Sequence, residues 1–158
     1  MYRIGYGIDA HRFDESAKLV LGGVKIPYEL GLKGHSDADV LVHAICDALL
    51  GAMGEKDIGC HFPDTDPDYK NISSIKLLNK VVKMLESKKL KVVNLDTVII
   101  CEKPKIAPYV EPIKESLSKA LNLNKSEIGV KATTTEGMGN IGAEEGIAST
   151  AIVLCKKV

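Results

Sequence analysis

Residues 36–51 read SDADVLVHAICDALLG, and their spacing decides the class of fold. Val40, Leu41, Ala44, Ile45, Ala48 and Leu49 recur every three or four positions, which gathers apolar side chains on one side of an α-helix. Ser36 with Asp39 three residues on resembles a capping box, and Gly51 closes the pattern. His43 lies at the edge of the apolar stripe, one turn from Asp39 on one side and from Asp47 on the other.

Upstream, residues 3–11 (RIGYGIDAH) alternate with period two, so Ile4, Tyr6 and Ile8 share one face of a strand and Asp9 and His11 the other. Residues 19–21 (LVL) and 24–26 (VKI) flank Gly22-Gly23, a pair suited to a two-residue hairpin, and Pro27 stops the second arm. Downstream, residues 54–71 are rich in Gly, Pro and Asp and predict a long polar loop with little regular structure, of the kind that more often serves function. Ile75, Leu78, Val82 and Leu85 mark a second helix, and the β-branched run 91–101 a strand. After Pro104 and Pro108, Ile113, Leu117, Ala120 and Leu121 mark a third helix. Residues 128–133 and 147–154 give two more strands. Helices and strands neither alternate strictly nor segregate fully. The expectation is therefore an α+β fold: a single domain over residues 1–158, with a mixed β-sheet and helices packed on one face.

Composition narrows the partners. The 158 residues are 45% hydrophobic and 27% charged, the profile of a chain with an ordinary, here Trp-free, aliphatic core. Lys plus Arg and Asp plus Glu both number 21, so no excess charge is available for a nucleic-acid backbone or an anionic membrane. No apolar run approaches the roughly 20 residues of a membrane span, and the N-terminus carries neither a signal peptide nor a transit segment, which predicts an intracellular setting. Cys46, Cys60, Cys101 and Cys155 show no metal or disulfide spacing and read as reduced thiols.

Asp9 and His11, two apart on a strand, point the same way and offer a carboxylate and an imidazole suited to zinc or manganese. With His43 they make three ligands and leave a fourth position open, as in catalytic zinc sites; Asp47 or Asp39 is placed to orient His43. His35-Ser36 stands just before the predicted helix, where free N–H groups favour an anion such as phosphate. Thr133-Thr134-Thr135-Glu136, followed by Gly137-Met138-Gly139, combines hydroxyl donors, a flexible backbone and one carboxylate, which suits phosphate oxygens and Mg²⁺. Cys60-His61 points its side chains to opposite sides and is rejected as a metal pair. The lysine-rich 87–91 segment reads as a solvated helix end. These residues alone leave open a metal phosphohydrolase, a zinc-stabilised module and a phosphoryl transferase.

Taken together, residues 7–13 (GIDAHRF), His35-Ser36-Asp37 with His43-Ala44 and residues 47–52 (DALLGA), Asp57-Ile58-Gly59, residues 62–67 (FPDTDP) and 131–136 (KATTTE) closely resemble the 2-C-methyl-D-erythritol 2,4-cyclodiphosphate synthase family, nearly end to end. The resemblance implies conversion of 4-diphosphocytidyl-2-C-methyl-D-erythritol 2-phosphate to the cyclic 2,4-diphosphate and CMP, in non-mevalonate isoprenoid biosynthesis. It implies a homotrimer with active sites between subunits, in a bacterial cytoplasm or a plastid-type organelle. It makes Asp9, His11 and His43 ligands of Zn²⁺ (or Mn²⁺), Glu136 the protein ligand of Mg²⁺, and His35 and Thr134 the residues that stabilise the transition state. The sugar hydroxyls would be held at Asp57, Ile58 and Gly59, and substrate by Ser36 and the loop Phe62, Pro63, Asp64, Thr65 and Asp66. The cytidine pocket would comprise Cys101, Glu102, Lys103, Pro104, Lys105, Ile106 and Ala107 together with Ala132, Thr133 and Thr134, with Thr135 a further substrate contact. Asn140 and Ala143 stand where many members have an aromatic residue and an arginine that bind isoprenoid diphosphates. Weak binding of such effectors is therefore expected.

Overall fold

A computed structural model describes residues 1–158. Strand β1 (Tyr2–Asp14) leads into the hairpin β2 (Leu19–Leu21) and β3 (Val24–Ile26), a short β4 (Gly31–Leu32) and helix α1 (Val40–Met53). A short helix α2 (Ile58–His61) and a 3-10 turn (Pro67–Tyr69) precede α3 (Ser74–Ser87) and β5 (Leu90–Ile100). Then come α4 (Val110–Leu121), β6 (Ile128–Thr133), a single turn α5 (Gly139–Gly142) and β7 (Gly146–Lys157). The main sheet runs β4-β1-β7-β5-β6; β5 and β6 are parallel and the other pairs antiparallel, so the sheet is mixed as expected. The 54–71 segment holds more regular structure than its composition predicts. The reason is local capping: the Asp57 and Asp66 side chains accept backbone N–H groups two or three residues on.

The alternation expected in β1 is present, but the core lies on its glycine side. Gly5 and Gly7 are buried beneath α1, where an added Cβ at Gly5 would stand 1.7 Å from the Ala48 carbonyl oxygen and at Gly7 2.1 Å from that of Ala44. Helix backbone rests directly on strand backbone, which only residues without a Cβ allow. Ile4, Tyr6 and Ile8 consequently face outward, 71%, 58% and 59% exposed, beside Ile152 at 50%. Helix α1 is the centre of the core. Apart from His43, Asp47 and the exposed Gly51, all its residues are buried, so its polar seam follows one i, i+4, i+8 line.

The start of α1 corrects the expectation that Ser36 caps it. Asp39 is the N-cap: its fully buried carboxylate accepts Val42 N–H at 3.1 Å and also the N–H groups of Gly22 and Gly23, at 2.9 and 2.7 Å. Both glycines hold positive φ, +60° and +77°, so one carboxylate ties the hairpin turn to the helix. Asp39→Ala leaves three N–H donors without this acceptor, and is expected to lower stability by about 3 kcal/mol, read as a lower urea midpoint.

Candidate functional site

Because α1 sits so close to β1, His43 reaches the two polar side chains of the strand. His11 Nε2 lies 2.8 Å from Asp9 Oδ2, His43 Nδ1 lies 3.1 Å from the same oxygen, and the two ring nitrogens are 3.2 Å apart. His11 Nδ1 lies 2.7 Å from the Lys33 carbonyl oxygen. A carbonyl only accepts, so Nδ1 carries a proton in either charge state; Nε2 donates to Asp9 when it too is protonated and offers its lone pair when a cation takes that proton's place. Burial alone would raise the Asp9 carboxyl, but hydrogen bonds and charge from His11 and His43 hold it well below the usual carboxylate range. Burial lowers the His11 imidazole, and Asp9 with the Lys33 carbonyl outweighs it and raises the net value. Two imidazole nitrogens crowded on one carboxylate oxygen need a proton or a cation among them, and the donor set of two nitrogens and one oxygen fits a divalent metal.

The triad lies in a cleft of about 230 Å³, walled by Ser36, His35 and Gly34 on one side and by Ile58, Gly59, Phe62, Asp64 and Tyr69 on the other. Asp47 holds that second wall: its carboxylate accepts Ile58 N–H at 2.7 Å, and burial, with repulsion from Asp57 and Asp9, raises its pKa. Phe62 meets Tyr69 edge-on at 5.3 Å, with Lys80 of α3 4.8 Å from the Tyr69 ring centroid. His35 Nε2 donates to the Asp66 carbonyl oxygen at 3.2 Å, linking the two walls.

Three expectations about this region need correction. Since α1 begins at Val40, His35-Ser36 does not stand at its N-terminus, and that end already carries a carboxylate, with Asp39 accepting the Val42 N–H. Neither Asp39 nor Asp47 orients His43, because both are spent on backbone N–H groups. His43 Nε2 instead lies 3.0 Å from Ser36 Oγ and 2.9 Å from Ser74 Oγ. Ser74, Tyr69 and Lys80 carried no signal in the sequence beyond a helix start and a polar loop; only the docking of α3 reveals them. Cys60 is exposed and His61 faces Glu55 at 3.7 Å, both outside the triad, and all four cysteines are free.

The second group of expected site residues lies elsewhere on the sheet. Of the parallel pair, Cys101–Ala107 follows the end of β5 and Ala132–Glu136 spans the end of β6. Glu102 organises them: its Oε1 accepts Thr135 N–H at 2.8 Å, the Thr135 hydroxyl at 3.1 Å and Gly137 N–H at 3.4 Å. Thr134 Oγ1 accepts Glu136 N–H at 3.2 Å, and Glu136, at φ +55°, leaves its carboxylate exposed. Asn140 lies on α5 and Ala143 caps its end, both exposed; Glu144 pairs with Lys103 at 3.2 Å. The register runs Asp9↔Ser149↔Ile99↔Ala132, so both groups sit at the same end of the sheet but three strands apart, about 14 Å at the usual strand spacing. No residue of the second group lines the triad cleft.

The model of the YgbB family matches residues 2–156. A 2-C-methyl-D-erythritol 2,4-cyclodiphosphate synthase of Syntrophotalea carbinolica is 57% identical over 157 residues, covering 99% of this chain and 96% of the relative. One of Caldicellulosiruptor bescii is 54% identical over 154 residues, 98% of both chains. Among solved structures, the CDP complex of IspF from Plasmodium falciparum superposes with a TM-score of 0.86 at 35% identity, covering 99% of this chain and 96% of that one.

Proposed function

The chain belongs to the YgbB family and is a 2-C-methyl-D-erythritol 2,4-cyclodiphosphate synthase, a lyase of non-mevalonate isoprenoid biosynthesis, and from that premise we propose how its residues perform the reaction. The substrate is 4-diphosphocytidyl-2-C-methyl-D-erythritol 2-phosphate. An oxygen of the 2-phosphate bonds to the β-phosphorus, the bond from that phosphorus to the α-phosphate oxygen breaks, and CMP leaves. No water and no covalent enzyme intermediate enters, so positioning and charge neutralisation carry the rate. The observation that supports this best is the convergence of His11 Nε2, His43 Nδ1 and Asp9 Oδ2 at one wall of a polar cleft.

Asp9, His11 and His43 hold Zn²⁺ or Mn²⁺, and the exposed Glu136 carboxylate serves Mg²⁺ on the diphosphate. Bound cations orient two anionic groups and offset the charge that resists their approach. His35 and Thr134 are donors to the phosphoryl oxygens, each worth about 2 to 4 kcal/mol if held like oxyanion-hole donors. Asp57 to Gly59 bind the sugar hydroxyls, and Phe62 to Asp66 with Ser36 close over the substrate. Cys101 to Ala107 with Ala132 to Thr134 take the cytidine, a nucleoside that the Plasmodium falciparum relative carries as its diphosphate, CDP. Residues 1–158 act as one synthase domain, in a bacterial cytoplasm or a plastid-type organelle; no helix is long and apolar enough to cross a membrane.

A site split over about 14 Å of one sheet is completed by a neighbour. We place the nucleotide half of one subunit against the metal half of the next in a closed homotrimer. The outward face of β1 and β7, with Ile4, Tyr6, Ile8 and Ile152, is an apolar surface of the kind such an assembly covers. Ile8→Asp is expected to yield monomers by sedimentation, with turnover lost and the fold retained by circular dichroism.

Phosphorus NMR of the reaction, with and without chelator, tests the chemistry. The cyclic diphosphate and CMP should form only with metal; an open-chain bisphosphate would identify a hydrolase instead. With Asn140 and Ala143 in place of an aromatic and an arginine, titration with geranyl diphosphate should show little or no binding.

A further inference from the structure

Helix α3 begins at Ser74, yet Ser73, its N-cap residue, makes no side-chain capping hydrogen bond. The cap comes from another segment. Asp37 Oδ2 accepts the Ser74 backbone N–H at 3.0 Å, while Asp37 Oδ1 accepts the Ser74 hydroxyl and, at 3.2 Å, the Asp39 N–H. An ionised carboxylate only accepts, so the Ser74 proton is committed to Asp37 and the Ser74 oxygen has only acceptor capacity left. His43 Nε2 lies 2.9 Å from that oxygen and must therefore be the protonated nitrogen. Ser36 Oγ, 3.0 Å from the same nitrogen, imposes no such choice, since its own proton is free to point either way. Ser74 is fully buried, which excludes water as a substitute for its hydroxyl.

With Nε2 protonated, Nδ1 of His43 turns its lone pair toward His11 Nε2 and Asp9 Oδ2. We propose that Asp37 and Ser74 are positioning residues: the chain from Asp37 carboxylate to Ser74 hydroxyl to His43 Nε2–H fixes the tautomer of His43 and holds Nδ1 ready for a divalent cation. The inference rests on the reading of His43 as a metal ligand. It differs from that reading in naming what sets the ligand's protonation and ring orientation, a role that a carboxylate or carbonyl more often plays directly. The same carboxylate caps α3, so the docking of that helix and the orientation of His43 depend on one residue.

The test combines ¹⁵N NMR of histidine-labelled, metal-free protein with zinc affinity by chelator competition. In the wild type, His43 should be the Nε2–H tautomer. In Ser74→Ala the Nδ1–H form should become populated and the zinc Kd should rise by about 10- to 100-fold, while the metal-free protein, with a lower thermal midpoint, keeps its circular dichroism spectrum. Ser73→Ala, one residue away, should leave both readings as they are. Asp37→Asn keeps the size of the side chain and should also raise the Kd; it carries the test if Ser74→Ala fails to fold. Retention of the Nε2–H tautomer and wild-type zinc affinity in Ser74→Ala overturns the proposal. Failure of the ligand reading is seen separately: His43→Ala would then bind zinc as tightly as the wild type, while the tautomer of metal-free His43 would still report on the hydrogen-bond chain.

Discussion

His43→Ala is expected to abolish metal binding and to lower turnover by roughly three orders of magnitude or more, while the protein keeps its circular dichroism spectrum. The fold does not need the imidazole: α1 is anchored by the buried faces on either side of His43, including Leu41, Ala44, Ile45, Ala48 and Leu49, all fully buried. What is lost is one of three donors, and the remaining pair, Asp9 and His11 at 2.8 Å, satisfy each other as an ordinary ion pair. A zinc that stabilised the fold would behave differently, since its removal would unfold the domain. Wholesale unfolding of His43→Ala would therefore favour a structural role for the metal.

Gly7→Ala is expected to be strongly destabilising although it adds a single methyl group. Its Cβ would lie 2.1 Å from the Ala44 carbonyl oxygen and 2.8 Å from the Ala48 backbone nitrogen, so the obstacle is helix backbone and no side-chain rotation relieves it. Helix α1 must move off the strand, and the cost is about 3 kcal/mol or more, visible as a thermal midpoint lower by roughly 6 to 12 °C. Ala44 is the residue after His43, so the same displacement draws the imidazole away from Asp9 and His11. The variant should lose metal affinity along with stability. Gly51→Ala, on the same helix but with its nearest neighbour 3.9 Å away, should be neutral or stabilising by about 0.5 kcal/mol. Equal effects in the two variants would refute the close-approach argument.

Much of the architecture is legible locally. The apolar spacing of residues 40–49, the Gly22-Gly23 turn and the β-branched 91–101 run each specify an element by a pattern no longer than the element itself, and α1, the β2–β3 hairpin and β5 form there. The pairing of Asp9 with His11 is legible for the same reason, because period two is a property of one strand. The cap of α1 was misplaced because Ser36 and Asp39 are both good capping residues. The choice between them depends on Gly22 and Gly23, whose N–H groups recruit Asp39 from 16 and 17 residues away.

The sequence by itself determined the main elements, the candidate grouping of Asp9, His11 and His43 and the family to which the chain belongs. Only the tertiary structure decided which face of β1 is buried. Alternation assigns residues to shared faces without saying which face meets the core, and here helix backbone lying on Gly5 and Gly7 outweighed the apolar character of Ile4, Tyr6 and Ile8. It also decided what orients His43. Asp37 and Ser74 are 37 residues apart and meet only because α3 docks against α1, while the group proposed to take the nucleotide, equally legible as a motif, is held three strands away by the rigid spacing of the sheet.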